Sequence, residues 1–145
     1  MEFPRPKPGQ RIAELSTPLP LIDEEKLAAN IAHVQTYMDS HGLAFRPHIK
    51  THKIPAIASQ QVKAGAQGIN CQKITEAEIF ATAGFEDLLI TFNILGSEKL
   101  ERLAALNARI SGLKVVADSE MTVRGLASTF AQTRPLTVLV ECDTG

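Results

Sequence analysis

The sequence has 145 residues, of which 44% are hydrophobic and 21% are charged, and its formal net charge is −1 at pH 7. This composition is typical of a globular domain rather than a disordered chain, the charge gives no general basis for binding nucleic acid, and no apolar stretch approaches the ~20 residues that span a bilayer. We expect a cytoplasmic protein, because the amino terminus lacks the apolar core of a signal peptide and Cys71 and Cys142 have neither metal-ligand spacing nor a disulfide framework.

Strands and helices are predicted to alternate after an extended, proline-rich lead-in over residues 1–16. Asp23 offers an N-cap for a helix over 24–41, in which apolar residues recur on one face. Thr75 with Glu78 has the spacing of a capping box. The predicted strands cover 18–22, 43–50, 67–72, 88–92, 113–117 and 136–142, and the other predicted helices cover 55–64, 75–83, 97–109 and 119–131.

These six strands and five helices define an α/β fold. Several strands are continuous apolar runs, such as residues 138–140, which is typical of parallel strands covered on both faces. Two architectures fit, a doubly wound open sheet and a (β/α)8 barrel of which residues 17–145 would form roughly the first two-thirds. No glycine-rich phosphate loop follows a predicted strand, which disfavours the open sheet. The stop after a sixth strand favours a truncated barrel.

Basic residues recur at alternate positions of the predicted strand 43–50. Because side chains alternate between the two faces of a strand, Arg46, His48 and Lys50 should share the inner face. Lys50 would lie at the carboxyl end, where barrels place their active sites. Lysine forms Schiff bases with carbonyl compounds and with pyridoxal phosphate, and neighbouring cations favour its reactive free amine. The alternative is a solvated basic turn on an edge strand.

A family resemblance rests on residues 46–53, Arg-Pro-His-Ile-Lys-Thr-His-Lys. They resemble the R-P-H-x-K-[TA]-H-K signature of D-threonine aldolases and eukaryotic-type D-serine dehydratases. Residues 17–18, 68–73 and 139–145 are similar to further patterns of these enzymes. The resemblance covers residues 17–145 and implies the amino-terminal barrel of alanine-racemase-like, fold-type III pyridoxal-phosphate enzymes.

The resemblance also implies roles for individual residues. Lys50 matches the lysine that holds pyridoxal phosphate as a Schiff base and is the expected catalytic residue, whereas Lys53 matches a second lysine that does not bind the cofactor. Arg46 and His48 would line the cofactor pocket. Gln72 would lie nearby on the next strand, either contacting the cofactor or filling the barrel interior.

The implied activity is retro-aldol cleavage of β-hydroxy D-amino acids to glycine and an aldehyde. Conversion of D-serine to pyruvate and ammonia is the alternative, and an inactive gene fragment or a non-catalytic cofactor-binding barrel would be something other than an enzyme. By resemblance, the complete enzyme would be a homodimer and would use a divalent metal ion (Mn, Mg or Zn). The metal ligands, the arginine paired with the pyridine nitrogen and the phosphate-binding strand ends are expected beyond Gly145.

Overall fold

The computed structural model describes residues 5–145, so part of the predicted lead-in, residues 1–4, lies outside the described residues. The described part contains five α-helices and four strands. In chain order these are α1 (Glu24–Ser40), α2 (Pro55–Ala64), β1 (Ile69–Cys71), α3 (Ile74–Thr82), β2 (Asp87–Ile90), α4 (Ser97–Arg109), β3 (Gly112–Ala117), α5 (Glu120–Phe130) and β4 (Thr137–Val140). The domain boundary proposed at residue 17 stays a prediction.

The four strands form one parallel sheet in the order β1-β2-β3-β4, and one helix connects each strand to the next. The register aligns Asn70, Leu89, Lys114 and Thr137 across the sheet. A doubly wound sheet reverses its strand order at a switch point, whereas here every strand is added on the same side. The winding is therefore that of a barrel, and the predicted α/β fold is confirmed.

All five predicted helices are confirmed to within a residue at each end. Asp23 caps α1 as predicted, because its side chain accepts the Lys26 backbone N–H at 3.0 Å. The capping box predicted from Thr75 and Glu78 is wrong. Helix α3 begins one residue earlier than the prediction, so Glu76 occupies its first turn and accepts a backbone N–H there.

The prediction of six strands is wrong at its first two segments. Residues 18–22 form no ladder, and Leu21 and Ile22 are more than half exposed. Pro18 and Pro20 lack the N–H groups that a ladder needs. Apolar composition alone therefore misled the prediction here.

The basic segment 43–50 is extended along β1 without becoming a strand. The Gln67 N–H donates to the Phe45 carbonyl at 3.0 Å and the Asn70 N–H to the Pro47 carbonyl at 2.8 Å, and a single parallel bridge joins His48 to Asn70. Pro47 cannot donate in return. A 3-10 turn over Ile49–Thr51 then ends the extended segment, so that Lys50 lies in a turn and not on the predicted strand.

The core lies between the helices and the outer face of the sheet. Buried and half-buried residues alternate along β1, β2 and β3, as expected for a sheet with one face on a helical layer. The fully or almost fully buried residues include Ile69, Cys71, Leu88, Ile90, Val115, Phe80, Leu103 and Leu106. Burying one such large apolar side chain stabilises the fold by about 1.5–3 kcal/mol. The half-buried inner face carries polar side chains such as Asn70, Asp87 and Lys114 among apolar ones.

An ion cluster fills the inner face at the amino ends of the strands. The Arg46 guanidinium donates from Nη1 and Nη2 to the two carboxylate oxygens of Asp87, each at 2.9 Å, and Lys114 Nζ binds the same carboxylate. Gly68 lies directly beneath this cluster. A Cβ on Gly68 would come within 2.7 Å of the Asp87 carbonyl oxygen and 2.1 Å of Arg46 Nη1.

We therefore expect Gly68→Ala to destabilise the protein by about 1–3 kcal/mol, the usual cost of overpacking, because the β2 backbone must shift to admit the methyl group. Gly125→Ala is the control. Its Cβ would meet only Leu100 Cδ1 at 3.5 Å, an ordinary contact, and alanine is favoured over glycine inside helix α5 by about 0.5–1 kcal/mol. Urea unfolding measures both, and equal effects of the two substitutions would contradict the packing described.

Candidate active site

The candidate site lies at the carboxyl ends of β1 and β2, where the basic segment turns. Ile49 is fully buried and fixes the turn to the core, while the next side chain, Lys50, is exposed. The Lys53 N–H donates to the Ile49 carbonyl at 2.7 Å and the His52 N–H to the same oxygen at 3.2 Å. These contacts fix the turn that carries the exposed Lys50 side chain, directly after the bridge from His48 to β1.

His48 is held in one tautomer by its hydrogen bonds. Its Nδ1 accepts the Lys50 backbone N–H at 3.2 Å, so the proton of the neutral ring lies on Nε2. Nε2 donates to Thr91 Oγ1 at 3.0 Å, and the Thr91 hydroxyl donates to the Cys71 carbonyl at 3.3 Å. The ring is therefore fixed between the Lys50 turn and the ends of β1 and β2.

The surroundings of His48 keep its ring uncharged at neutral pH. Burial lowers the pKa of His48, and the positive charge of Lys50 lowers it further. The Gln72 side chain and the Glu76 carboxylate act in the opposite direction without cancelling the shift in pKa. The backbone places both neighbours close to the ring, because the Lys50 N–H donates to His48 and Gln72 lies two residues after Asn70, the bridge partner of His48.

Lys50 itself has no carboxylate within 4.0 Å among the described residues, unlike Lys53 and Lys114. A cation that is exposed and free of a counter-charge is available to a ligand. Next to it the structure offers a neutral imidazole and the amide of half-buried Gln72, the first residue after β1. The arrangement combines a primary amine nucleophile with hydrogen-bonding groups of no net charge, which is suited to covalent binding of a carbonyl compound.

The structure brings together three of the four predicted cofactor residues. His48, Lys50 and Gln72 meet at the carboxyl ends of the strands, whereas the Arg46 guanidinium points to the opposite end and binds Asp87. Two groups at the site were missed from the sequence. Thr91, which binds His48, lies two residues after the inner-face residue Leu89 and therefore on the same face. The alternation of side chains along the strand could have identified it.

The second missed group is the buried carboxylate of Glu76, whose Oε2 accepts the Gln72 backbone N–H at 2.8 Å. No sequence signal pairs it with the basic segment. Within residues 5–145 no group of three or more histidine, cysteine, aspartate and glutamate side chains is placed to hold a metal ion. In the same residues no helix is both long enough and apolar enough to cross a membrane.

Comparison with known proteins assigns the family. The model of the alanine racemase N-terminal domain matches residues 22–145, so the chain belongs to the alanine racemase N-terminal domain family. It is 37% identical over 143 residues to D-threonine aldolase of an Arthrobacter species, and 35% identical over 131 residues to D-threo-3-hydroxyaspartate dehydratase of Delftia sp. HT23. The crystal structure of D-threonine aldolase from Filomicrobium marinum superposes with a TM-score of 0.87 at 35% identity.

The relatives are longer than this chain. The matches cover 98% of this chain but 38% of the Arthrobacter aldolase, and 90% of this chain but 34% of the Delftia dehydratase. The superposition with the Filomicrobium structure covers 92% of this chain and 36% of that structure's chain. The chain thus spans a little over a third of these relatives, which are lyases of two kinds, an aldolase and a dehydratase. Membership of this family implies pyridoxal phosphate as cofactor. The Lys50 amine, which has no carboxylate partner among the described residues and lies near His48 and Gln72, fits a cofactor with a reactive aldehyde.

The lowered pKa of His48 predicts a pH dependence of stability. The pKa of His48 is lower in the folded state than its ordinary value of about 6.5 in the unfolded state. Below about pH 6.5 the unfolded state therefore binds more protons than the folded state. We expect the free energy of unfolding to fall as the pH falls from about 7 to 5, and to fall less in His48→Gln. His52, whose pKa burial also lowers, retains part of the dependence.

Urea unfolding at several pH values measures this effect. His33→Gln, which changes an exposed histidine of α1, is the matched control and should follow the unmodified protein. If His48→Gln and His33→Gln show the same pH dependence, His48 is not the uncharged group described.

Proposed function

We propose that the chain carries the cofactor lysine of a pyridoxal-phosphate-dependent lyase that cleaves β-hydroxy D-amino acids to glycine and an aldehyde, as the name of its aldolase relatives indicates. The observation that carries the proposal is the position of Lys50. Its amine is exposed at the carboxyl ends of the barrel strands, has no carboxylate partner among the described residues, and lies beside His48. Barrel enzymes place their chemistry at this end.

Each of the four predicted residues has a proposed part in holding the cofactor. Lys50 would bind it covalently through Nζ. His48 and Gln72 would line the pocket, and the Nε2-protonated, neutral His48 adds no second positive charge beside the lysine. Arg46 was also predicted as a cofactor ligand. Since its Nη1 and Nη2 donors are already bound to Asp87, we propose that it acts on the pocket by holding the extended segment in place.

When bound, pyridoxal phosphate supplies an electron sink for the carbanion formed at Cα. The substrate's amino group would take the place of Lys50, and the released Lys50 amine would then be free to carry a proton. The exposed position of Lys50 permits this exchange, because the amine need not break a buried ion pair to leave. The groups that bind the phosphate, the pyridine nitrogen and a divalent metal are proposed to lie outside this chain. The complete enzyme is proposed to be a homodimer, and a cytoplasmic location stays a prediction.

A dehydratase is the second candidate, favoured by the likeness to the Delftia enzyme. Lys50 would serve there as the base that removes the proton from Cα, followed by loss of the β-hydroxyl group. The motif of residues 46–53 also resembles D-serine dehydratases, so D-serine is a candidate substrate for this reaction. Nothing among residues 5–145 separates the two reactions, since both need the same lysine. Two further alternatives are not enzymes, namely a barrel that binds the cofactor without turnover and an inactive gene fragment.

The intact gene product should release glycine and acetaldehyde from D-threonine in the presence of pyridoxal phosphate and Mn²⁺. Lys50→Ala should abolish the release to the detection limit, because it removes the amine that would form the covalent link to the cofactor. Lys63→Ala, which changes an exposed lysine of α2 with no ion pair among the described residues, is the control and should keep the activity.

The products decide between the candidates. A keto acid and ammonia from D-serine or D-threo-3-hydroxyaspartate, without glycine, would establish the dehydratase instead. If neither set of products forms, both reactions are excluded for this protein. An active Lys50→Ala variant would refute the role given to Lys50 whichever reaction occurs.

A further inference from the structure

Lys53, the second lysine of the basic segment, has no part in the function proposed so far. It is the one non-glycine residue with a positive φ (53°) among the described residues, a conformation that side-chain-bearing residues rarely adopt. Its ammonium group lies 3.2 Å from Glu76 Oε1 on helix α3. The Lys53 side chain is 57% exposed and the Glu76 side chain only 8%, so the lysine reaches from the surface to a buried carboxylate.

Glu76 depends on this lysine for its counter-charge. Its Oε2 accepts the Gln72 N–H, while its buried Oε1 has no hydrogen bond and lies 3.2 Å from the Lys53 ammonium. Burial raises the pKa of Glu76, but the Gln72 N–H and Lys53 together outweigh it, so the pKa is lowered and the group is a carboxylate at neutral pH. A buried carboxylate without a counter-charge is strongly unfavourable.

The ion pair connects the two turns that carry the candidate site. Lys53 lies three residues after Lys50, and Glu76 binds the backbone N–H of Gln72, which lies four residues before Glu76. One carboxylate thereby binds the Lys50 turn through one oxygen and the Gln72 turn through the other.

We propose that Lys53 and Glu76 form a positioning pair that fixes the Lys50 turn against the Gln72 turn, and so sets the rate at which Lys50 captures an aldehyde cofactor. This inference rests on the proposed function, because it takes Lys50 as the residue that binds pyridoxal phosphate. Lys53 and Glu76 do not touch the cofactor. Their effect is on the placement of the amine and of its neighbour Gln72.

The test compares Lys53→Met, Glu76→Gln and Lys53→Arg with the control Lys73→Met in the intact gene product. Lys73 is an exposed lysine at the amino end of α3 whose side chain makes no cap and no ion pair among the described residues. One readout is the rate at which added pyridoxal phosphate develops the absorbance band of lysine-bound cofactor. The other is hydrogen exchange of the backbone amides of residues 50–54 without cofactor.

Lys53→Met and Glu76→Gln should slow the appearance of the band about tenfold, in line with the coupling energies of contacting charged groups, and should speed exchange in residues 50–54. The double variant should be no slower than either single one, because all three lack the same interaction. Lys53→Arg keeps the ion pair and should restore both readouts, and Lys73→Met should change neither. A wild-type rate in Lys53→Met, or failure of Lys53→Arg to restore it, overturns the inference.

Two further outcomes keep the inference separate from the proposed function. If Glu76→Gln does not fold, Lys53→Met decides, because the Lys53 side chain is more than half exposed. If that variant does not fold either, the double variant decides, because it leaves no buried carboxylate without a counter-charge. If the unmodified protein develops no absorbance band of lysine-bound cofactor, the proposed function fails. Hydrogen exchange alone then tests whether Lys53 and Glu76 fix the Lys50 turn. Unchanged exchange in Lys53→Met would then overturn it.

Discussion

The candidate site depends on the register of one extended segment along one strand. Two backbone hydrogen bonds, from the Gln67 N–H to the Phe45 carbonyl and from the Asn70 N–H to the Pro47 carbonyl, hold the basic segment beside β1. This register sends Ile49 into the core and leaves Lys50 at the inner edge. Because alternate side chains of the extended segment face opposite ways, a shift of one residue would place Arg46 and His48 against the helices, where an unpaired polar group or charge is costly.

Charge on the inner face is handled differently at its two ends. At the amino end the cations Arg46 and Lys114 share the carboxylate of Asp87, whose pKa burial raises and these two cations lower, with a net lowering. At the carboxyl end Lys50 has no such partner among the described residues, and its neighbour His48 is uncharged. Pairing at one end gives the barrel a stable interior, while the other end retains an amine that can react. The same division is typical of barrel proteins, in which one end serves stability and the other chemistry.

The helices were predictable from local signals, as α1 shows: Asp23 caps it and its apolar residues repeat at helical spacing. The first two strands were not, because strand formation depends on a partner with matching donors, and the prolines of those segments remove them. Alternation predicted a strand position for Lys50, whereas the structure places it in a 3-10 turn, so its proposed role rests on the motif. The partner of Arg46 could not, since Asp87 lies 41 residues away and only the folded sheet brings the two together. Glu76 escaped prediction for the same reason.

Chemical trapping of the cofactor lysine tests the central claim most directly, namely that this register makes Lys50 the amine that binds pyridoxal phosphate. The intact protein is incubated with the cofactor, borohydride reduces the carbon–nitrogen double bond that joins them, and the modified peptide is identified by mass spectrometry. The account predicts one stoichiometric modification at Lys50, with Lys53 and Lys73 unmodified. Modification at Lys53, or a label spread over the exposed lysines, would contradict it.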